Sequence, residues 1–172
     1  MNKIVLVGYM GCGKTEIGKL LSKNLNFKFY DLDNLIEIEC SLSINEIFSE
    51  KGEIYFRKLE HQILADTIVK NESFILSLGG GTPCYANNHL LLNQENVTSI
   101  YLKASISTLV DRLKFNRINR PLIKDLSNDE LSEYIAKHLF ERSFYYNQCK
   151  NTVVVDDKSI YEIVSEIEKL LF

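Results

Sequence analysis

The stretch GYMGCGKT, residues 8–15, decides the fold, because it meets every fixed position of the pattern G-x-x-x-x-G-K-[ST]. The apolar run IVLV precedes it at residues 4–7, and apolar side chains with helical spacing follow at positions 17, 20, 21 and 25. A strand, a glycine-rich turn and a helix are therefore predicted in that order. In such a turn, successive backbone N–H groups surround an anion at the positive end of the helix dipole.

The lysine and the threonine that end this stretch account for its chemistry. Lys14 is positioned to contact the β- and γ-phosphates of a nucleotide, and the Thr15 hydroxyl to bind Mg²⁺. The alternative is an ordinary glycine-rich turn between a strand and a helix. The flanking strand and helix patterns favour the phosphate-binding loop.

Composition and charge describe one globular domain. The chain has 172 residues, of which 45% are apolar and 25% charged, so it can build a substantial core. The net charge of −3 and the lack of basic clusters argue against a nucleic-acid surface. The sequence contains no apolar run of about 18 residues that would span a membrane, and no signal peptide is indicated. We expect a monomer without nucleic-acid or membrane partners.

The cysteines are scattered along the chain without a C-x-x-C pair, at Cys12, Cys40, Cys84 and Cys149. Free thiols in a reducing cytosol explain this pattern better than a disulfide framework or a zinc site does. We therefore expect a cytoplasmic protein.

Short β-rich runs alternate with helical patterns along the whole chain. They cover residues 4–7, 27–30, 74–78, 99–102 and 152–155. Apolar strands separated by helices imply a parallel sheet with helices on both faces, so we predict a single α/β domain over residues 1–172. Residues 113–124 are basic and lack clear periodicity, and they form either a mobile lid or an ordinary surface loop.

Two aspartates follow the second predicted strand. Ligands of parallel α/β sheets gather at the carboxyl ends of strands, where Asp31 and Asp33 are expected to point the same way if the strand continues that far. The third strand ends in Ser77 and Leu78 without a carboxylate, so Asp31 is predicted to hold Mg²⁺ and Asp33 to accept a proton from an attacking hydroxyl. The alternative for Asp33 is the cap of a helix that begins at Asn34.

The third strand is followed by three consecutive glycines, Gly79, Gly80 and Gly81. Glycines permit a turn at no steric cost, and they also let a small polar ligand lie against bare backbone. A turn needs one or two glycines, so the triplet indicates close approach.

Together these motifs resemble the shikimate kinase family. The resemblance rests on GYMGCGKT, Asp31-Leu32-Asp33, Phe56-Arg57, SLGGG at residues 77–81, Arg120-Pro121-Leu122, and Arg142 with Tyr146, in this order over nearly the whole chain. It implies a three-layer α/β/α fold with a five-stranded parallel sheet, of the nucleoside-monophosphate-kinase kind. It also implies Mg²⁺-dependent transfer of the γ-phosphate of ATP to the 3-hydroxyl of shikimate, a step in aromatic biosynthesis.

The resemblance assigns roles to single residues. For ATP these are Gly11, Cys12, Gly13, Lys14, Thr15, Glu16, Arg112 and Arg120; for shikimate, Asp33, Arg57, Gly79, Gly80, Gly81 and Arg142; for the metal, Thr15 and Asp31. Asp33, Lys14 and Arg120 are the predicted catalytic residues, residues 33–62 the acceptor-binding helical region, and residues 113–124 the lid. The two acceptor arginines fit a carboxylate ligand, because a forked guanidinium binds it through parallel hydrogen bonds.

Other functions remain as alternatives. A gluconate or nucleoside-monophosphate kinase would share the fold, but the pair of arginines and SLGGG argue against both. A regulatory GTPase would need an N-K-x-D motif, and the only Asn-Lys pair, Asn2-Lys3, is followed by Ile-Val. A binding module without activity is the least favoured, since every position expected to do chemistry is filled.

Overall fold

The central element of the fold is a five-stranded, all-parallel sheet. The computed structural model describes residues 2–115 and 123–171. The strands are β1 (Lys3–Val7), β2 (Lys28–Asp31), β3 (Phe74–Ser77), β4 (Val97–Lys103) and β5 (Asn151–Val154). Their order across the sheet is β2-β3-β1-β4-β5. Each lies within two residues of a predicted run, and the predicted fold class is confirmed.

Helices connect and flank the strands, as predicted. They are α1 (Lys14–Leu25), α2 (Leu32–Cys40), α3 (Ile44–Lys51), α4 (Glu53–Ile68), α5 (Asn88–Leu91), α6 (Ile106–Lys114), α7 (Asn128–Tyr146) and α8 (Ile160–Leu171), with a 3-10 turn at Thr82–Cys84. Helices α2 and α3 and the first part of α4 cover residues 33–62, the predicted acceptor-binding region.

The core lies along the middle strands. Every residue of β1 and β3 is buried, whereas β2 and β5 at the edges are partly exposed. Strands covered on both faces need continuous apolar sequence, and the run IVLV in β1 meets that requirement.

The strand register brings the functional segments to one edge of the sheet. Ser77 pairs with Leu6 of β1 on one side and with Asp31 of β2 on the other. Because the strands are parallel, the chain leaves all three at the same end. The loop after β1, the aspartates after β2 and the glycine triplet after β3 therefore emerge side by side.

None of the described helices is long and apolar enough to cross a membrane. Most of the predicted lid, including Arg120, falls on residues 116–122, which lie outside the described residues.

Candidate active site

The loop after β1 turns sharply into α1. Gly11 and Gly13 have φ angles of 84° and 103°, a region that other residues rarely adopt. No side chain caps α1 at Gly13, so its first N–H groups have the arrangement that binds phosphate at helix N-termini. The Lys14 Nζ atom donates hydrogen bonds to the carbonyl oxygens of Gly8 at 2.7 Å and Tyr9 at 3.1 Å, which holds the ammonium group against the loop.

A cavity of about 320 Å³ opens between this loop and the carboxyl ends of β2 and β3. Its lining includes residues predicted to bind the nucleotide, the metal and the acceptor: Lys14, Thr15, Asp31, Asp33, Gly79 and Gly80. The structure thus brings the expected nucleotide, metal and acceptor residues to one place, although they come from three separate segments of the chain.

Asp31 links the loop to the start of α2. One of its carboxylate oxygens, Oδ1, accepts from the backbone N–H of Asp33 at 3.1 Å, and the other, Oδ2, accepts from the Thr15 hydroxyl at 3.4 Å. The alternative that Asp33 caps a helix beginning at Asn34 is wrong, because α2 begins at Leu32 and Asp31 is its N-cap. The expectation that Asp31 and Asp33 point the same way from a continuing strand is also wrong, because β2 ends at Asp31. Both aspartates nevertheless line the cavity, since the helix starts directly at the strand end.

Asp33 lies in an environment that disfavours its negative charge. Burial raises its pKa from 3.8 to about 6, and the carboxylates of Asp31 and Glu60 act in the same direction. Lys14 opposes them and lowers the pKa. The result is a carboxyl group that is ionised at neutral pH and takes up a proton under mildly acidic conditions, close to the range that suits proton transfer.

Arg57 of α4 is held by a buried carboxylate. Its Nη1 atom donates to Glu60 Oε2 at 2.8 Å, and Glu60, only 1% exposed, also accepts from the Thr82 hydroxyl at 2.6 Å. The guanidinium lies over the ring of Tyr85, 3.9 Å from its centroid. The Nε atom is buried and, within the described part of the chain, has no hydrogen-bond partner. Helix α4 and the 3-10 turn with Tyr85 thus fix this guanidinium in one orientation.

Arg142 of α7 reaches the same site, next to Gly80. Its guanidinium carbon is 5.4 Å from the ring centroid of Tyr9. One helical turn later, the Tyr146 hydroxyl donates to the carbonyl oxygen of Gly80 at 2.6 Å. Across residues 2–115 and 123–171, no carboxylate forms an ion pair with Arg142. Its charge is therefore uncompensated there, in contrast to that of Arg57.

The glycine triplet provides room for these side chains. A Cβ atom on Gly80 would lie 3.0 Å from Arg142 Nη1, and one on Gly81 would lie 3.0 Å from Arg57 Nη2. A Cβ on Gly79 would lie 3.2 Å from Asp33 Oδ1. None of the three glycines has a positive φ. Close approach, rather than turn geometry, accounts for the triplet.

Comparison with known proteins identifies the family. A family model described as shikimate kinase matches residues 10–171. The chain belongs to the shikimate kinase family. It is 63% identical to the shikimate kinase of Flavobacterium psychrophilum over 172 residues, which is the full length of both proteins.

Two solved shikimate kinases have the same fold as this family member. That of Bacteroides thetaiotaomicron has a TM-score of 0.91 at 32% identity and covers 99% of this chain and 98% of its own. That of Acinetobacter baumannii, solved in complex with shikimate, has a TM-score of 0.87 at 27% identity, with coverages of 99% and 93%.

The remaining nucleotide predictions fall on a second cavity on the other side of the loop. This cavity, about 350 Å³ in volume, is lined in part by Gly11, Cys12, Glu16 and Arg112. Arg112 Nη1 donates to the carbonyl oxygens of Gly11 at 3.3 Å and Cys12 at 3.1 Å, so it supports the loop from behind. Glu16 lies on both cavities, and its side chain is 67% exposed.

Two features of this shikimate kinase site were missed from the sequence. Glu60, which orients Arg57, stands three residues after it on α4, and that spacing was an available signal. The pair formed by Tyr9 and His138 has no local signal, because the two residues are 129 positions apart.

Proposed function

We propose that this chain transfers the γ-phosphoryl group of ATP to the 3-hydroxyl of shikimate, giving shikimate 3-phosphate and ADP. Family membership makes it a kinase of the shikimate pathway. The observation that supports the acceptor assignment is the convergence of Asp33, Arg57 and Arg142 on the glycine triplet, directly beside the phosphate-binding loop. A carboxylate with hydroxyl groups is the ligand that these side chains complement.

In this proposal the acceptor carboxylate binds to the two arginines. Arg57 donates to the carboxylate through Nη2, because its Nη1 atom already donates a hydrogen bond to Glu60. Arg142 offers a guanidinium whose charge no described carboxylate neutralises. A forked donor of this kind gives a charge-assisted and directional contact that a lysine does not reproduce. Gly79, Gly80 and Gly81 allow the ring of the acceptor to lie against backbone.

Asp33 then accepts a hydrogen bond from the acceptor hydroxyl. Its raised pKa makes the carboxylate a better proton acceptor than an exposed aspartate. Phosphoryl transfer proceeds through a loose transition state in most analyses, so Asp33 orients the hydroxyl first and removes its proton late in the transfer. Lys14 lowers the pKa of Asp33, so the charges of the two side chains interact. The carboxylate that accepts from the acceptor hydroxyl therefore lies near the ammonium group proposed to bind the transferred phosphate.

The residues present fit a magnesium ion. The Thr15 hydroxyl and the Asp31 carboxylate are hard oxygen donors 3.4 Å apart on one cavity wall. Groups of three or more His, Cys, Asp or Glu that could hold a metal do not occur among the described residues, which suits an ion that relies mainly on phosphate oxygens and water. When bound, Mg²⁺ would neutralise charge on the ATP phosphates.

Lys14 and the N-terminus of α1 are proposed to bind the transferred phosphate, and Cys12, Gly13 and Glu16 to line the nucleotide site around them. Arg112 acts on the nucleotide through the loop that it supports. The assignment of Arg120 to the phosphates stays a prediction, since it lies outside the described residues. The four free cysteines support the proposed cytoplasmic location, and we propose a monomer.

One coupled assay tests this function. ADP formation by the purified chain should require both shikimate and Mg²⁺, and gluconate, AMP and CMP should not replace shikimate. Equal rates with gluconate or with a nucleoside monophosphate would refute the acceptor assignment. A matched pair of variants tests the binding of the acceptor carboxylate by Arg142. Arg142→Ala should weaken shikimate binding far more than ATP binding, and Arg142→Lys should restore little of the lost shikimate affinity.

A further inference from the structure

Tyr9, the second residue of the phosphate-binding loop, contacts the acceptor side of the site. It is 1% exposed. Its hydroxyl lies 3.0 Å from His138 Nδ1, and its ring lies beneath the guanidinium of Arg142, 5.4 Å from the centroid. Its backbone carbonyl accepts from Lys14. One residue thus contacts the donor-side lysine through its backbone and the acceptor-side arginine through its ring.

The partner of Tyr9 comes from the same helix as Arg142. Tyr134, His138, Arg142 and Tyr146 follow one another at intervals of four residues on α7, which places them in one stripe along the helix. The Tyr134 ring packs edge-on against His138 at 4.2 Å between centroids, and Tyr146 is fixed by its hydrogen bond to the backbone of the glycine triplet. Along the helix, Arg142 therefore lies between the rings of His138 and Tyr146, each of which is held by a further contact. The ring of Tyr9 packs on its guanidinium from the loop.

The charge state of His138 suits a neutral hydrogen bond. Burial lowers its pKa, as do the positive charges of Arg142 and Lys137, while Glu141 acts in the opposite direction. The side chain is therefore neutral at pH 7 and adds no charge beside Arg142. A neutral imidazole with its hydrogen on Nε2 leaves Nδ1 free to accept the Tyr9 hydroxyl.

We propose that Tyr9 and His138 are positioning residues for Arg142, and that they set the affinity of the site for the carboxylate of its acceptor. A guanidinium on a long, flexible side chain binds a carboxylate well only when its plane is held in place. The Tyr9 ring supplies the supporting face, and the hydrogen bond to His138 fixes that ring relative to α7. The inference rests on the proposed function, since it assigns the acceptor carboxylate to Arg142.

Calorimetric titration of single variants tests this arrangement. Tyr9→Phe removes the hydroxyl and keeps the ring, so the dissociation constant for shikimate should rise about threefold to tenfold, as expected for one lost hydrogen bond. His138→Phe should have the same effect. His138→Asn keeps a polar group near the Nδ1 position and should restore most of the affinity. The dissociation constant for MgATP should stay within about twofold in all three variants, because the loop backbone is unchanged.

A neutral acceptor separates positioning from general packing. With the methyl ester of shikimate, kcat/KM of Tyr9→Phe and of the wild type should agree within about twofold, because the ester lacks the charge that Arg142 binds. Tyr30→Phe is the matched control. It removes a tyrosine hydroxyl that donates to Glu72 at 2.6 Å and should leave shikimate affinity unchanged.

Two results would overturn the inference. One is unchanged shikimate affinity in Tyr9→Phe and His138→Phe while Arg142→Ala still binds shikimate weakly. The other is an equal loss for the acid and for its ester, which would indicate packing alone. A wild-type chain that forms no ADP with shikimate would instead refute the proposed function itself, so the two failures are distinguishable.

Discussion

Replacement of Asp33 by asparagine should make the ligand-free protein more stable and the enzyme much slower. In the folded protein burial raises the pKa of Asp33 from 3.8 to about 6, so ionisation of this group opposes folding at neutral pH. A shift of about two pH units corresponds to about 3 kcal/mol. The neutral amide avoids this cost but loses the favourable interaction of a carboxylate with the first turn of α2, about 0.3–1 kcal/mol. The net gain is about 2 kcal/mol, or roughly 4–8 °C in Tm.

The gain should depend on pH with a defined sign. The folded-state pKa of Asp33 lies above its unfolded-state value, so the unfolded chain binds fewer protons and wild-type stability falls as pH rises between the two values. The stabilising contribution is complete below about pH 4 and is lost above about pH 6. The advantage of Asp33→Asn should therefore be complete at pH 8 and roughly half as large at pH 5.

Thermal and urea unfolding of both proteins at pH 5 and pH 8 measure this difference. Asp129→Asn is the matched control, because Asp129 occupies the same second position of α7 but is exposed. Turnover of Asp33→Asn should fall by about 10²–10⁴, the contribution of a general base, with shikimate still bound. An unchanged Tm at pH 8 would refute the burial argument. A loss of only a few-fold in turnover would refute the catalytic role.

Three other changes test the surrounding residues. Glu60→Gln leaves Arg57 without its buried anion, so the free energy of unfolding measured in urea titrations should fall by on the order of 2–4 kcal/mol. The acid limb of the pH–rate profile should also move below pH 6, since Glu60 raises the pKa of Asp33. Gly80→Ala places a methyl group 3.0 Å from Arg142 Nη1, so shikimate affinity should fall about tenfold in calorimetry while ATP affinity holds. Thr15→Val should raise the Mg²⁺ concentration needed for half-maximal turnover, whereas Thr15→Ser should not, and chelation of Mg²⁺ should abolish ADP formation.

The edge of the sheet at which the site lies was predictable because it follows from local patterns. Apolar runs located the strands, and parallel connection then required their carboxyl ends to meet, as the pairing of Ser77 with Leu6 and Asp31 confirms. The boundary between β2 and α2 was not predictable in the same way. Asp31 ends the strand and caps the helix at once, and only the three-dimensional chain path distinguishes this from a cap at Asp33.

Long-range side-chain pairs were beyond sequence reasoning for a different reason. Glu60 is charged and lies on a helix, a combination that usually indicates an exposed position. Its burial depends on the 3-10 turn at Thr82–Cys84 packing against α4, which no pattern within α4 indicates. Likewise, the hydroxyl of Tyr9 meets His138 only because the chain path brings α7 to the loop that follows β1.

The charge balance of the site distinguishes a monoanionic acceptor from a nucleoside monophosphate. Glu60 already neutralises Arg57, whereas Arg142 has no carboxylate partner in the described parts of the chain. The Arg142 guanidinium beside Gly80 thus has no ion-pair partner among the described residues, and its single charge matches one carboxylate. A nucleoside monophosphate carries up to two negative charges on its phosphate, whereas Arg142 supplies one positive charge beside the glycine triplet. Asp33, ionised at neutral pH, would also repel a second anionic group while accepting hydrogen bonds from hydroxyls. The pairing of Glu60 with Arg57, rather than the number of arginines, therefore favours a hydroxylated monocarboxylate.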